Sequence, residues 1–289
     1  MAHTLSGAAS VELTSRGLRA EFSPEMGGRL LQLGIVGGPD ILVPTTPHSF
    51  PSTNWPRAGA YPLVPYHNRL SDAQVSVNSE RVVLVPHPDA MPHTLHGPGH
   101  TRPWEMVLHQ ADRLVMRLEY GRDQHWPWDF EAVQDFMLTR DMLKLSMKVR
   151  NLDDRPMPAG LGWHPYFASS EPVTTDANAQ WPHRADYLPR GQSDVITDED
   201  VASKQSTRYL QRWSKAHVSC SAAVKVTVSA TPEFDFLVIH RGDQAHICVE
   251  PVTHLANAWN VDLDAKKIGA RVLLPGETLS GAIEVCVSG

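Results

Sequence analysis

Alternation with a period of two dominates this chain. From 143 to 150, Leu143, Leu145, Met147 and Val149 alternate with Lys144, Ser146, Lys148 and Arg150, the pattern of a strand with one dry and one wet face. Residues 130–138 precede it, and Thr139-Arg140-Asp141-Met142 between them reads as a hairpin turn. Val75-Ser76-Val77 and Val82-Val83-Leu84-Val85 flank Asn78-Ser79-Glu80 as a second hairpin. Stretches 114–120, 224–228, 236–240 and 245–249 predict further short strands, and 271–278 followed by 283–287 predicts a strand-turn-strand. Long helical periodicity is absent, and the best helical candidate is the short stretch 200–206.

The 19 glycines and 23 prolines are spread throughout, which interrupts helices and serves turns between strands. There is no internal repeat and no low-complexity linker. The expected architecture is therefore all-β: one large antiparallel β-sandwich domain over 1–289, with long loops. Binding chemistry on such a scaffold usually sits in those loops.

Charge and cysteine narrow the partners. With 26 Lys and Arg against 32 Asp and Glu, the net charge is −6 and no basic block occurs. A nucleic-acid groove or an anionic membrane surface is then not the expected partner. Cys220, Cys248 and Cys286 are widely spaced and have no metal-ligand spacing; Cys248 and Cys286 lie in apolar runs and are expected to be buried thiols. The N-terminal residues lack a basic segment followed by an apolar one, and no window approaches the roughly 18 apolar residues of a membrane span. A cytoplasmic protein is expected, as monomer or homodimer.

Four segments carry candidate chemistry. Gly162-Trp163-His164-Pro165-Tyr166-Phe167 sets one imidazole among three aromatic rings, where burial tunes its pKa and flat faces suit a sugar ring. Trp163 is the stacking candidate. In Cys248-Val249-Glu250-Pro251, Glu250 ends an apolar run, so desolvation is expected to strengthen it as a base near neutral pH. Tyr61 to Leu70 presents Asn68 and Arg69 after two prolines, a planar donor fork for hydroxyls. His93-Thr94-Leu95-His96-Gly97-Pro98-Gly99-His100 holds three histidines, but a zinc-protease helix is missing and a hydrogen-bonding loop is expected instead of a metal site. Read alone, each segment also has a structural explanation: a core strand end, an ion-paired edge glutamate or a surface turn.

Taken in order, these segments resemble the aldose 1-epimerase (galactose mutarotase) family. The matching pieces are Pro62-Leu63-Val64-Pro65 leading to Asn68-Arg69, Leu95-His96-Gly97, Trp163-His164-Pro165-Tyr166-Phe167 and Val249-Glu250-Pro251. The resemblance implies a galactose mutarotase-like supersandwich acting on free aldoses without cofactor or metal. It makes Glu250 the counterpart of the general base and His164 that of the general acid. His96 and Arg69 match residues that hold the sugar and polarise its ring oxygen. The family's sugar-binding aspartate has no evident counterpart. If Trp213 marks its neighbourhood, Thr207 or a neighbour stands there, and Asp235 is a substitute that also reads as structural.

Two function classes follow. One is an isomerase that interconverts anomers by acid–base ring opening and closure. The other is a non-catalytic carbohydrate-binding protein of the same fold. A cupin-like metalloenzyme built on His93, His96 and His100 is a weaker third.

Overall fold

A computed structural model describes residues 3–7, 10–46, 49–78, 80–191, 196, 206–242 and 246–288. Two antiparallel sheets form the body. The eight-stranded sheet runs Thr174–Thr175, Lys215–Ser219, Lys225–Ala230, Thr278–Ser288, Met142–Asn151, Phe130–Leu138, Arg113–Tyr120 and Glu105–His109. The nine-stranded sheet runs Ala179–Trp181, Ser206–Gln211, Phe236–Arg241, Ile247–Val252, Gly162–Phe167, Ala60–Leu63, Arg29–Ile35, Leu18–Ser23 and Val11–Thr14. Helix among the described residues amounts to short 3-10 turns.

The first sheet keeps the alternation of the sequence. Leu143, Leu145, Met147 and Val149 are buried, and the intervening lysines face water. Lys144 meets Glu284 at 2.9 Å and Lys148 meets Glu131 at 3.1 Å across neighbouring strands. Such half-exposed pairs are worth ~0.2–1 kcal/mol each, so burial of the other face holds this sheet to its partner. That buried face joins Phe22, Leu30, Trp126, Phe136 and Trp163 in the main core.

The second sheet differs at its centre. Ala60–Leu63, Gly162–Phe167 and Ile247–Val252 are buried at every position. One side of each strand packs into the sandwich core. The other carries a second cluster, including Tyr61, Leu63, Tyr166, Tyr209, Val238 and Cys248, roofed by loops. The strands are antiparallel, yet both faces are dry.

Several expectations are corrected. Val272–Leu273 pairs with Met157–Pro158, whereas Thr278–Ser288 joins Met142–Asn151 and Lys225–Ala230, so the C-terminal strands do not form one hairpin. Cys248 is buried but Cys286 is exposed, because it alternates with buried Ile283 and Val285 on a strand with one wet face. Of the helical candidate 200–206, residues 200–205 lie outside the described residues, and Ser206 begins a strand.

Candidate functional site

Strand register brings the distant segments to one face. His164 lies opposite Tyr61, Tyr166 opposite Cys248, and Glu250 opposite Val238. Alternation then sends Tyr61, His164, Tyr166, Cys248 and Glu250 to the roofed side, while Val249, Trp163 and Phe167 go to the sandwich core.

At the centre, His164 Nε2 sits 3.3 Å from Glu250 Oε1, and the two side chains are 8% and 4% exposed. The imidazole packs against the rings of Tyr61 and Tyr166, each with its centroid 4.7 Å away. Burial pushes the Glu250 carboxyl well above the usual range. Burial, with repulsion from His240, His100 and Arg29, holds His164 well below the ordinary histidine value. Both shifts disfavour separated charges, and the two groups stand close enough to share one proton between their facing atoms.

One wall is built by Asn68 and His96, both in the left-handed region with φ of 55° and 56°. The Asn68 N–H donates to His96 Nδ1 at 3.0 Å. With His96 held neutral by burial and by His164, Nε2 carries its hydrogen. The Asn68 amide donates to the Tyr209 hydroxyl at 2.9 Å, and its oxygen accepts from the Arg69 N–H and guanidinium. The Arg69 guanidinium lies 4.4 Å over the Tyr187 ring. Gly97 secures this wall: a Cβ there would stand 2.2 Å from the Val64 carbonyl oxygen.

These groups line a cavity of about 420 Å³, with Glu250 and His164 in its floor and Asn68, Arg69 and His96 beside them. Thr207 and His240 line another side, joined by a 2.7 Å hydrogen bond between Oγ1 and Nδ1. The volume and the mix of rings with fixed donors suit a monosaccharide.

A family model described as aldose 1-epimerase matches residues 9–286. The chain belongs to that family. The curated relative YphB of Escherichia coli K12, itself uncharacterised, is 32% identical over 133 residues, and the match spans 45% of each chain. The chain thus matches less than half the length of that curated relative. Among solved structures, a putative aldose 1-epimerase from Escherichia coli K12 superposes with a TM-score of 0.83 at 22% identity, covering 97% of this chain and 99% of that one. A galactose mutarotase-like protein from Clostridium acetobutylicum gives 0.84 at 20% identity, covering 96% and 94%. At these identities the likeness is one of fold.

Within this aldose 1-epimerase framework, five of the seven residues singled out from sequence converge on the cavity: Glu250, His164, Arg69, His96 and Asn68. Two do not. Trp163 is 1% exposed in the sandwich core, because it neighbours His164 on one strand and adjacent side chains leave a pleated strand in opposite directions. Asp235 accepts a 2.8 Å hydrogen bond from the Gln211 amide, and the cavity-facing positions of the strand that follows it are Val238 and His240.

Sequence reasoning missed other members of the site. Trp55 lines the cavity and donates from Nε1 to the Tyr61 hydroxyl at 2.9 Å. Arg29 is wholly buried 4.6 Å from the Tyr61 ring, with only Nη1 bonded, to the Ala58 carbonyl. Burial lowers its pKa to about 10. No sequence pattern marks it, since Arg29 stands among leucines in a strand. Tyr61 and Tyr166 were within the quoted motifs, and their alternation with Trp163 was the usable signal.

The three loop histidines do not assemble. His93 Nδ1 accepts from the Asp72 N–H, His96 serves Asn68, and the His100 ring packs on Tyr61 and Trp55. Among the described residues, the group with metal-ligand proximity is His164, Cys248 and Glu250.

Proposed function

We propose that this chain is a mutarotase: it interconverts the α and β anomers of a free aldose by opening and reclosing the sugar ring, without a cofactor. The observation that carries the reading is the buried, 3.3 Å contact between His164 Nε2 and Glu250 Oε1 on the floor of a ring-sized cavity. Two groups holding one proton are what the reaction needs, because it moves protons without net uptake or release.

With sugar bound, transfer of the pair's proton from Glu250 to His164 leaves a carboxylate, which removes the proton of the C1 hydroxyl. The C1–O1 bond becomes a carbonyl, the C1–O5 bond breaks, and O5 takes a proton from the His164 imidazolium. The open aldehyde turns about C1–C2. Protonated Glu250 then returns a proton to the carbonyl oxygen as O5, giving its proton back to His164, attacks the other face of C1. Holding both groups against one ring supplies the proximity. His96 Nε2–H and the Arg69 guanidinium are donors to the ring oxygen and hydroxyls, and Asn68 fixes both by its hydrogen bonds. Trp55, and not Trp163, offers the aromatic face.

The test is saturation-transfer NMR of anomer exchange across a panel of aldoses, for the parent chain, Glu250→Gln and His164→Asn. Each substitution is expected to lower kcat on the order of 10²–10⁴-fold. No acceleration over the spontaneous rate with any aldose overturns the proposal. Calorimetric sugar binding without exchange would instead support the non-catalytic carbohydrate-binding reading, which Thr207 at the expected aspartate position favours.

A further inference from the structure

Beneath the acid–base pair lies a thiol that the mutarotase chemistry does not use. Cys248 and Glu250 are two residues apart on Ile247–Val252 and therefore face the same way, and His164 reaches them from the adjoining strand. One donor atom from each lies within 4.8 Å of the other two, and all three residues are buried. Cys248 itself is wholly buried, whereas His164 and Glu250 open onto the cavity.

We propose that His164, Cys248 and Glu250 form a three-donor site for a thiophilic divalent cation such as Zn²⁺ or Cd²⁺. Tetrahedral zinc takes imidazole and carboxylate at ~2.0–2.2 Å and thiolate at ~2.3 Å, which sets donor atoms roughly 3.3–3.6 Å apart. The His164–Glu250 separation of 3.3 Å already has that value. The sulfur needs to close by at most about 1.3 Å, within reach of a side-chain rotation. The fourth position faces the cavity, where a water or a sugar hydroxyl completes the shell.

Charge agrees with geometry. A thiolate, a carboxylate and a neutral imidazole carry two negative charges, which one dication cancels. Burial opposes either anion alone and ceases to do so once the ion is between them. Binding releases two protons to solvent, one from the Cys248 thiol and the one held by the His164–Glu250 pair. A filled site has no proton left to relay, so the ion blocks anomer exchange; this consequence rests on the mutarotase reading, while the binding itself does not.

The experiment uses the full chain with Cys220→Ser and Cys286→Ser, stripped with chelator and titrated with CdCl₂. Ultraviolet thiolate-to-cadmium absorption is recorded, with anomer exchange followed alongside. A band saturating at one equivalent, abolished by both Cys248→Ser and Cys248→Ala and displaced by Zn²⁺, is expected. Exchange should fall in step with the band and recover on adding chelator, and the concentration needed for inhibition should rise at least tenfold in Cys248→Ser. Absence of a Cys248-dependent band overturns the proposal, as does inhibition unchanged in both Cys248 variants. If the chain exchanges no anomers, the band alone decides, and only the mutarotase reading falls.

Discussion

Glu250 and His164 stand on adjacent strands with their facing atoms 3.3 Å apart, both largely buried and the imidazole packed against two tyrosine rings. Free in water, a glutamate and a histidine together hold one proton between about pH 4.3 and 6.5. Burial raises the first value and lowers the second, and the pair titrates as a unit. The one-proton form then reaches beyond both ordinary limits. We expect kcat/KM for anomer exchange to cross pH 6.5 without inflection. NMR exchange rates against pH, with the spontaneous rate subtracted, check this; an inflection near 6.5 would mean that His164 titrates as a solvated ring.

Arg29 supplies a fixed positive charge behind Tyr61 and helps keep His164 neutral. Replacing it with methionine removes that charge at similar length. In Arg29→Met the acid limb of the rate profile is expected to move to higher pH. Because Nε and Nη2 have no partner, loss of the guanidinium should cost little stability. Urea unfolding measured beside the pH profile separates the two effects, and an acid limb that stays in place would count against Arg29 as an electrostatic neighbour.

Thr207 and His240 share a hydrogen bond where the sugar's far hydroxyls would lie. That contact is the same before and during ring opening, so it contributes uniform binding. Thr207→Ala should raise KM by roughly threefold to tenfold and leave kcat within about twofold, as one neutral hydrogen bond is worth ~0.5–1.5 kcal/mol. Progress curves over a range of sugar concentration test it; a fall in kcat with KM unchanged would contradict it.

Acid should weaken the fold itself. His254 is wholly buried, donates from Nδ1 to the Leu255 carbonyl at 2.7 Å, and accepts the His67 N–H at Nε2. Burial lowers its pKa to about 4. Between about 6.5 and 4 the unfolded chain binds a proton that the folded chain refuses, so stability falls as pH falls through that window. For His254 alone the loss by pH 4 is on the order of 3 kcal/mol. His67, His96 and His100 shift the same way, while Glu250 opposes with one group. Chemical denaturation at pH 7 and pH 4.5 gives the measurement, and equal stabilities would refute the argument.

Sequence made the outer sheet easy to read. Where one face meets water, as at 143–150, polar residues mark every second position and the strand declares itself. The central strands of the other sheet were legible as strands but not as to which side each residue serves, because water touches neither face. That is why Trp163 was grouped with His164, although the pleat separates them. Glu250, His164, His96, Asn68 and Arg69 were found because each sits in a short motif bounded by proline or glycine. Arg29 follows Gly27-Gly28 and Trp55 precedes Pro56, so such a frame alone does not mark a site residue, and their roles appear only when Tyr61 is folded against them. Cys286 misled because an apolar run does not reveal which alternate residue turns outward.

The doubly dry strands also bear on how this molecule can change. Even-numbered positions of 162–167 and 247–252 govern what happens to a bound molecule, and odd-numbered ones govern cohesion of the two layers. Selection can therefore retool the reactive surface one side chain at a time while the neighbours that bind the layers stay as they are. A library confined to 164, 166, 248 and 250 should yield folded proteins of altered reactivity far more often than one spread over 163, 165, 247 and 249.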